Sequence, residues 1–176
     1  MTAPSIVPLA DAFDRIKETV EDTLDGLSPE ELAARVDADA NSIGWLVWHL
    51  TRVQDDHIAD AAGLTQVWHT DDWLKRFDLP YPRDAHGYGQ SSADVAAFRG
   101  ITADLLAQYH SAVHAQTLRY LDTLADEDLD RVVDDSWDPP VTLGVRLVSV
   151  VSDDLQHVGQ AAFVRGVVRR RARDNH

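Results

Sequence analysis

The sequence predicts an all-α fold, a four-helix bundle with a long loop between the second and third main helices. Apolar residues recur at steps of three and four along most of the chain, the spacing of one helix face. Serines, prolines and glycines punctuate the ends of those runs as caps and stops. No stretch alternates apolar and polar residues strongly enough to ask for a sheet. At 176 residues the chain reads as a single domain over 1–176, large enough for a core without staples.

The first helix carries Leu9, Phe13, Ile16, Val20, Leu24 and Leu27 on one stripe and stops near Gly26. A short segment follows, with Ser28 as N-cap, Pro29 at the first helical position and Glu31 closing a capping box. "IGWLVWHLTRVQDDHIADAAG" predicts a long helix over 42–62, ended by Gly63. Residues 64–91 show little period; a loop of that length commonly carries function, and Trp68, Trp73, Phe77, Tyr81 and Tyr88 would pack it. Ser91 and Ser92 open the next helical stretch, which Gly100 divides into a short piece and a long one. Pro139 and Pro140 place a loop before the last helix, which runs over about 143–168. On that helix Leu147, Val148, Val151, Leu155, Val158 and Ala162 form one stripe, and Leu143, Val150, Ala161 and Val164 a second. Burial on most of its faces is the expectation.

A formal net charge of −14 argues against nucleic acid as a partner, since phosphate neutralisation needs a basic face. The exception is the C-terminal run with Arg165, Arg169, Arg170, Arg171 and Arg173, which reads as a solvated helix end, with a binding tail for anionic partners as the alternative. No window is long and apolar enough for a membrane span, and the N-terminus has no secretory pattern, so the expected compartment is the cytoplasm. The absence of cysteine excludes disulfides, thiolate metal sites and a cysteine nucleophile of the protein's own.

Against this bland background, "VVSDDLQHVGQ" sets Asp153 and His157 into the second apolar stripe of the last helix. Four residues apart, they stand on one face and can hold a cation together. His49 interrupts another apolar run, "WLVWHL". Alone, each reads as a buried polar group satisfied by hydrogen bonds. Together, two imidazoles and a carboxylate on facing helices make a good ligand set for a divalent metal with one position open. Asp154 competes with Asp153 for the carboxylate role and is, with His57, a candidate relay. His57 and Asp56 lie two turns beyond His49, about 10 Å along the axis, as candidates for a proton relay or a supporting hydrogen bond. His110 and His114 share the four-residue spacing but lack an evident third partner, while His69 and His86 are expected to be exposed. Arg146 is placed to meet a substrate carboxylate or to pair with an acid such as Asp138. No phosphate loop and no serine-nucleophile elbow is present.

"NSIGWLVWHLTRV" and "SDDLQHVGQAAFVRG", with His157 and Gln160 in an H-x-G-Q element, resemble the DinB-like (YfiT-like) superfamily of metal-dependent enzymes. The resemblance follows the helix order over nearly the whole chain. It implies a four-helix bundle with metal ligands at His49, Asp153 and His157, Asp153 standing where histidine or glutamate is usual. It also implies zinc or nickel, a low-molecular-weight thiol such as mycothiol, bacillithiol or glutathione, a small electrophilic substrate, and a homodimer. The activity implied is that of thiol S-transferases or of mycothiol-dependent maleylpyruvate isomerase. Since the chain has no cysteine, a thiolate must come from the cosubstrate. Two further readings stay open: a non-enzymatic bundle with a structural metal or none, and metal-free acid–base catalysis by Asp153 and His157.

Overall fold

The structure is a computed structural model that describes residues 3–174. Among the described residues the seven α-helices are α1 (Val7–Leu24), α2 (Pro29–Ala33), α3 (Ile43–Ala62), α4 (Trp73–Phe77), α5 (Ser92–Ala97), α6 (Ala103–Leu121) and α7 (Leu143–Asp174). Ser28, Ser42, Ser91 and Thr102 each accept a hydrogen bond from the N–H three residues on, and each starts a helix. Gly63 ends α3 in the left-handed conformation, where a side chain would be strained. The long helices α1, α3, α6 and α7 close a ring in which α1 and α3 each pack on both α6 and α7. Phe13, Ile16 and Val20 of α1 meet Leu46, Leu50 and Ile58 of α3, Leu106 and Val113 of α6, and Leu147, Val150 and Val158 of α7 in one core. Each such side chain contributes about 1.5–3 kcal/mol on burial.

Two expectations are corrected. The last helix runs to Asp174 and is buried on one face only, through Leu143, Leu147, Val150, Asp154, Val158, Ala161 and Val164. Val145, Val148, Leu155 and Phe163 are exposed, because α1 and α3 cover only the inner side of α7. A small sheet also exists: β1 (Val132–Asp134) pairs antiparallel with β2 (Val141–Thr142), strands too short to leave an alternating pattern. The loop over 64–91 is packed by its own aromatic residues, as expected. It contains a 3₁₀ turn (Val67–His69) and α4, and buries Trp68, Trp73 and Phe77 around Tyr109 of α6. Tyr88 does not join that packing; it is 87% exposed.

The basic run is only partly solvated. Arg165 and Arg169 donate to the Asp25 carbonyl at 2.9 and 2.8 Å, where α1 ends and its dipole favours cations. The last two residues of that run's segment, Asn175 and His176, lie outside the described residues.

Candidate metal centre

His49 sits on the second turn of α3, on the side that faces α7. Its ring stacks on Trp45, one turn earlier, with centroids 4.7 Å apart and planes 18° from parallel. On α7, Asp153 and His157 are four residues apart and bring His157 Nε2 to 3.6 Å from Asp153 Oδ1. The His49 and His157 rings meet edge to face at 4.8 Å. One ligand atom from each of His49, Asp153 and His157 lies within 4.8 Å of the other two, the one such group among the described residues.

The hydrogen bonds around these groups assign the nitrogens. His49 Nδ1 meets the His86 carbonyl, which can only accept, so Nδ1 carries the proton and Nε2 the lone pair. His157 Nδ1 lies 3.2 Å from Gln160 Oε1, an acceptor, which leaves Nε2 toward Asp153. Asp153 Oδ2 is buried without a hydrogen-bond partner among the described residues. Two imidazoles with their far nitrogens occupied and a carboxylate with an orphaned oxygen suit a divalent cation.

The protonation preferences differ between the two histidines, and a cation would have to displace the proton that His157 shares with Asp153. Burial lowers the His49 pKa, helped by His157, so the ring is neutral near pH 7. The hydrogen bond to Asp153 raises His157 despite partial burial. Burial pushes Asp153 upward, but His157, His49 and His57 together bring it below the ordinary carboxylate value.

A cavity of about 260 Å³ opens beside the cluster, lined by His49, Val53, Asp56, His57, His86, Tyr88 and Asp153. A larger hollow of about 420 Å³, bounded by Ala40, Asn41, Leu46, Gly159, Gln160, Phe163 and Val164, holds no titratable side chain. The smaller one is the cavity that borders His49 and Asp153. His57 Nδ1 lies 3.0 Å from Arg146 Nη1, and a guanidinium only donates, so His57 keeps its proton on Nε2. Burial first, then Arg146, lowers the pKa of His57 and holds it neutral.

Other sequence candidates find different places. Asp154 points into the core, fully buried, with neither oxygen partnered by a described residue, and lies outside the candidate group of His49, Asp153 and His157. Burial and the adjacent Asp153 raise its pKa well above the ordinary value. The acid that meets Arg146 is Asp134, at 2.8 Å, and not Asp138, because β1 runs alongside the first turns of α7. Asp56 accepts from Gln66 at 2.6 Å. His110 and His114 are buried, and His114 finds its acid in Asp14 of α1 at 2.9 Å. His69 and His86 are half-buried rather than exposed, His69 pairing with Asp84 at 3.0 Å. Sequence reasoning missed the His86 carbonyl, Trp45 and the buried pair Arg52–Asp55. Only Gly87, beside a histidine in a long loop, hinted that backbone approaches something closely there.

Helical bundle and ligand geometry together define a DinB-like protein with a candidate metal centre. The family model for mycothiol-S-transferase matches residues 8–170, and the chain belongs to that family. Among solved structures it is similar to one titled "conserved protein of locus from Enterococcus faecalis", with 30% identity, a TM-score of 0.88, and coverage of 96% of this chain and 98% of that one. A comparison with curated proteins gives no match.

Proposed function

We propose that the chain is a divalent-metal-dependent thiol S-transferase or isomerase, with His49, Asp153 and His157 as the metal ligands. The observation that carries this is the convergence of those three groups beside a 260 Å³ cavity, in a member of the mycothiol-S-transferase family. Zinc or nickel suits the mixed nitrogen and oxygen donors. A cation there would lower the pKa of a bound thiol, so that thiolate exists at neutral pH. Because the chain has no cysteine, that thiol belongs to the cosubstrate, mycothiol by family. His57, kept as an Nε2–H donor by Arg146, would hydrogen-bond an acceptor on the bound molecule, a positioning role rather than a base. Gln160 holds the His157 tautomer, and Tyr88 stands at the cavity mouth.

The test combines metal analysis with turnover. Wild type, His49→Ala and His157→Ala would be purified, their metal measured by mass spectrometry and their helicity by circular dichroism. Each would then be assayed with an electrophilic aryl halide and mycothiol, bacillithiol or glutathione in turn. About one metal per chain in wild type, lost in both folded variants together with thiol-dependent turnover, is the expected result. A wild type that takes up no zinc or nickel, or turnover that survives chelation, rejects the metal reading.

A further inference from the structure

We infer that Arg52 is a positioning residue for His49, acting through the backbone of residues 85–87: the loop, and not α3 alone, fixes which nitrogen of His49 faces Asp153 and His157. This rests on the metal reading proposed above for its consequence, though not for its geometry.

Arg52 lies one turn after His49 and is fully buried. A buried cation is a poor way to stabilise a core, since well-packed apolar residues commonly do as well or better. Its contacts give it another purpose. Nε donates to the Ala85 carbonyl at 3.1 Å, and Nη1 reaches Asp55 Oδ2 at 3.4 Å and Tyr109 Oη at 3.3 Å. The guanidinium also lies over the Trp68 ring, 5.0 Å from its centroid. Asp55 in turn accepts from the N–H groups of Val67 and Trp68, both at 2.8 Å, and from Tyr109 Oη at 2.8 Å. One buried ion pair thus grips the loop at residues 67–68 and again at residue 85.

The second grip bears on the ligand. His86, next after Ala85, offers the carbonyl that accepts from His49 Nδ1. Gly87 follows with φ of +97°, and a Cβ there would lie 2.6 Å from His49 Nδ1 and 2.9 Å from Trp45 Cζ2. Only glycine lets the backbone run this close to the imidazole edge. Trp45 closes the arrangement: it stacks on His49 and donates from Nε1 to Gln90 Oε1 at 2.7 Å. The ring is therefore held on one face by Trp45 and at Nδ1 by the strand of loop that Arg52 anchors. A carbonyl at Nδ1 selects the tautomer whose Nε2 is free to bind a metal, the arrangement that commonly orients ligating histidines.

Arg52→Lys keeps a cation beside Asp55 but removes the Nε donor to Ala85; Gly87→Ala pushes on the same contact from the loop side. The probes are zinc affinity, by competition with a chromophoric chelator, and the His49 tautomer in metal-free protein, by ¹⁵N imidazole correlation spectra. Circular dichroism and urea unfolding check the fold. Wild type is expected to show the Nδ1–H tautomer, and each folded variant to lose it and to bind zinc roughly 10–100-fold more weakly. The double variant is expected to be no weaker than the worse single one, since both act through one contact. Should Arg52→Lys fail to fold, Gly87→Ala, which leaves the buried Arg52–Asp55 pair intact, carries the test alone. Variants that keep the wild-type tautomer, or that bind zinc within two-fold of wild type, overturn the inference. A wild type that binds no zinc rejects the metal reading instead, and the tautomer spectra then decide the positioning role by themselves.

Discussion

Burial drives the His110 pKa down to about 3, with His114 and Lys17 adding to the effect, whereas Asp153 lifts His157 above the ordinary histidine value. His110 is 1% exposed and its Nε2 has no partner among the described residues, so protonation would leave a charge in the core. The unfolded chain takes up that proton near pH 6.5 and the native protein only near pH 3. Stability from this group is therefore complete above pH 6.5 and is lost as pH falls toward 3. Between pH 7.5 and 5 the loss is roughly 2 kcal/mol. His110→Leu should flatten the decline in urea midpoint over that interval relative to wild type; parallel declines would mean that His110 titrates normally. The sequence showed the spacing of His110 and His114 but not their setting, because Asp14 lies a hundred positions away on α1. The pair Asp153 and His157 was legible for the opposite reason: four residues on one helix is a local fact, and an interrupted apolar run is visible in the letters. The carbonyl of His86 has no letter of its own, and the only trace of it was the glycine that follows.

Helix boundaries were legible wherever a side chain makes the cap. Ser28, Ser42 and Ser91 each begin a helix, and Gly63 ends one. What the letters of α7 withheld was which of its apolar stripes faces inward. Leu147, Val150, Asp154, Val158 and Ala161 follow the steps of three and four that a helix needs to face two neighbours, and an acid occupies the middle of that series. Counting apolar residues favours the stripe with Val148 and Leu155, yet packing on α1 and α3 selects the one containing Asp154. An unpartnered buried polar group costs about 1–3 kcal/mol. Leucine branches at the same carbon but its methyls are bulkier than carboxylate oxygens, so the smaller Asp154→Val is a cleaner probe than Asp154→Leu. The better tolerated of the two variants should raise unfolding free energy by about 1–3 kcal/mol. Urea denaturation with an unchanged slope would show it. Destabilisation would mean that the carboxyl has a partner in the working protein, and a loss of bound metal alongside it would place that partner at the cluster.

Across the whole molecule, the cluster joins two helices that are distant in sequence. His49 belongs to α3 and both other groups to α7, so a cation held by all three ties the halves of the bundle together. The unfolded chain offers no such convergence, and a ligand that binds only the native state stabilises it by mass action. At a hundred times the dissociation constant that is about 2.7 kcal/mol, which for a chain of this size moves the melting temperature by roughly 5–10 °C. The bundle order was legible from helical periodicity, but whether residue 49 faced residue 157 was not, since facing depends on how α3 and α7 rotate against each other. A melting experiment reads that relation directly, provided that diffuse attraction of cations to a chain of net charge −14 is separated from specific binding. Stripped wild type should gain those degrees with zinc and little with the same concentration of magnesium, which prefers oxygen ligands. His157→Ala should melt alike in both. Equal gains with the two cations, persisting in His157→Ala, would assign the effect to surface charge and leave α3 and α7 joined by packing alone.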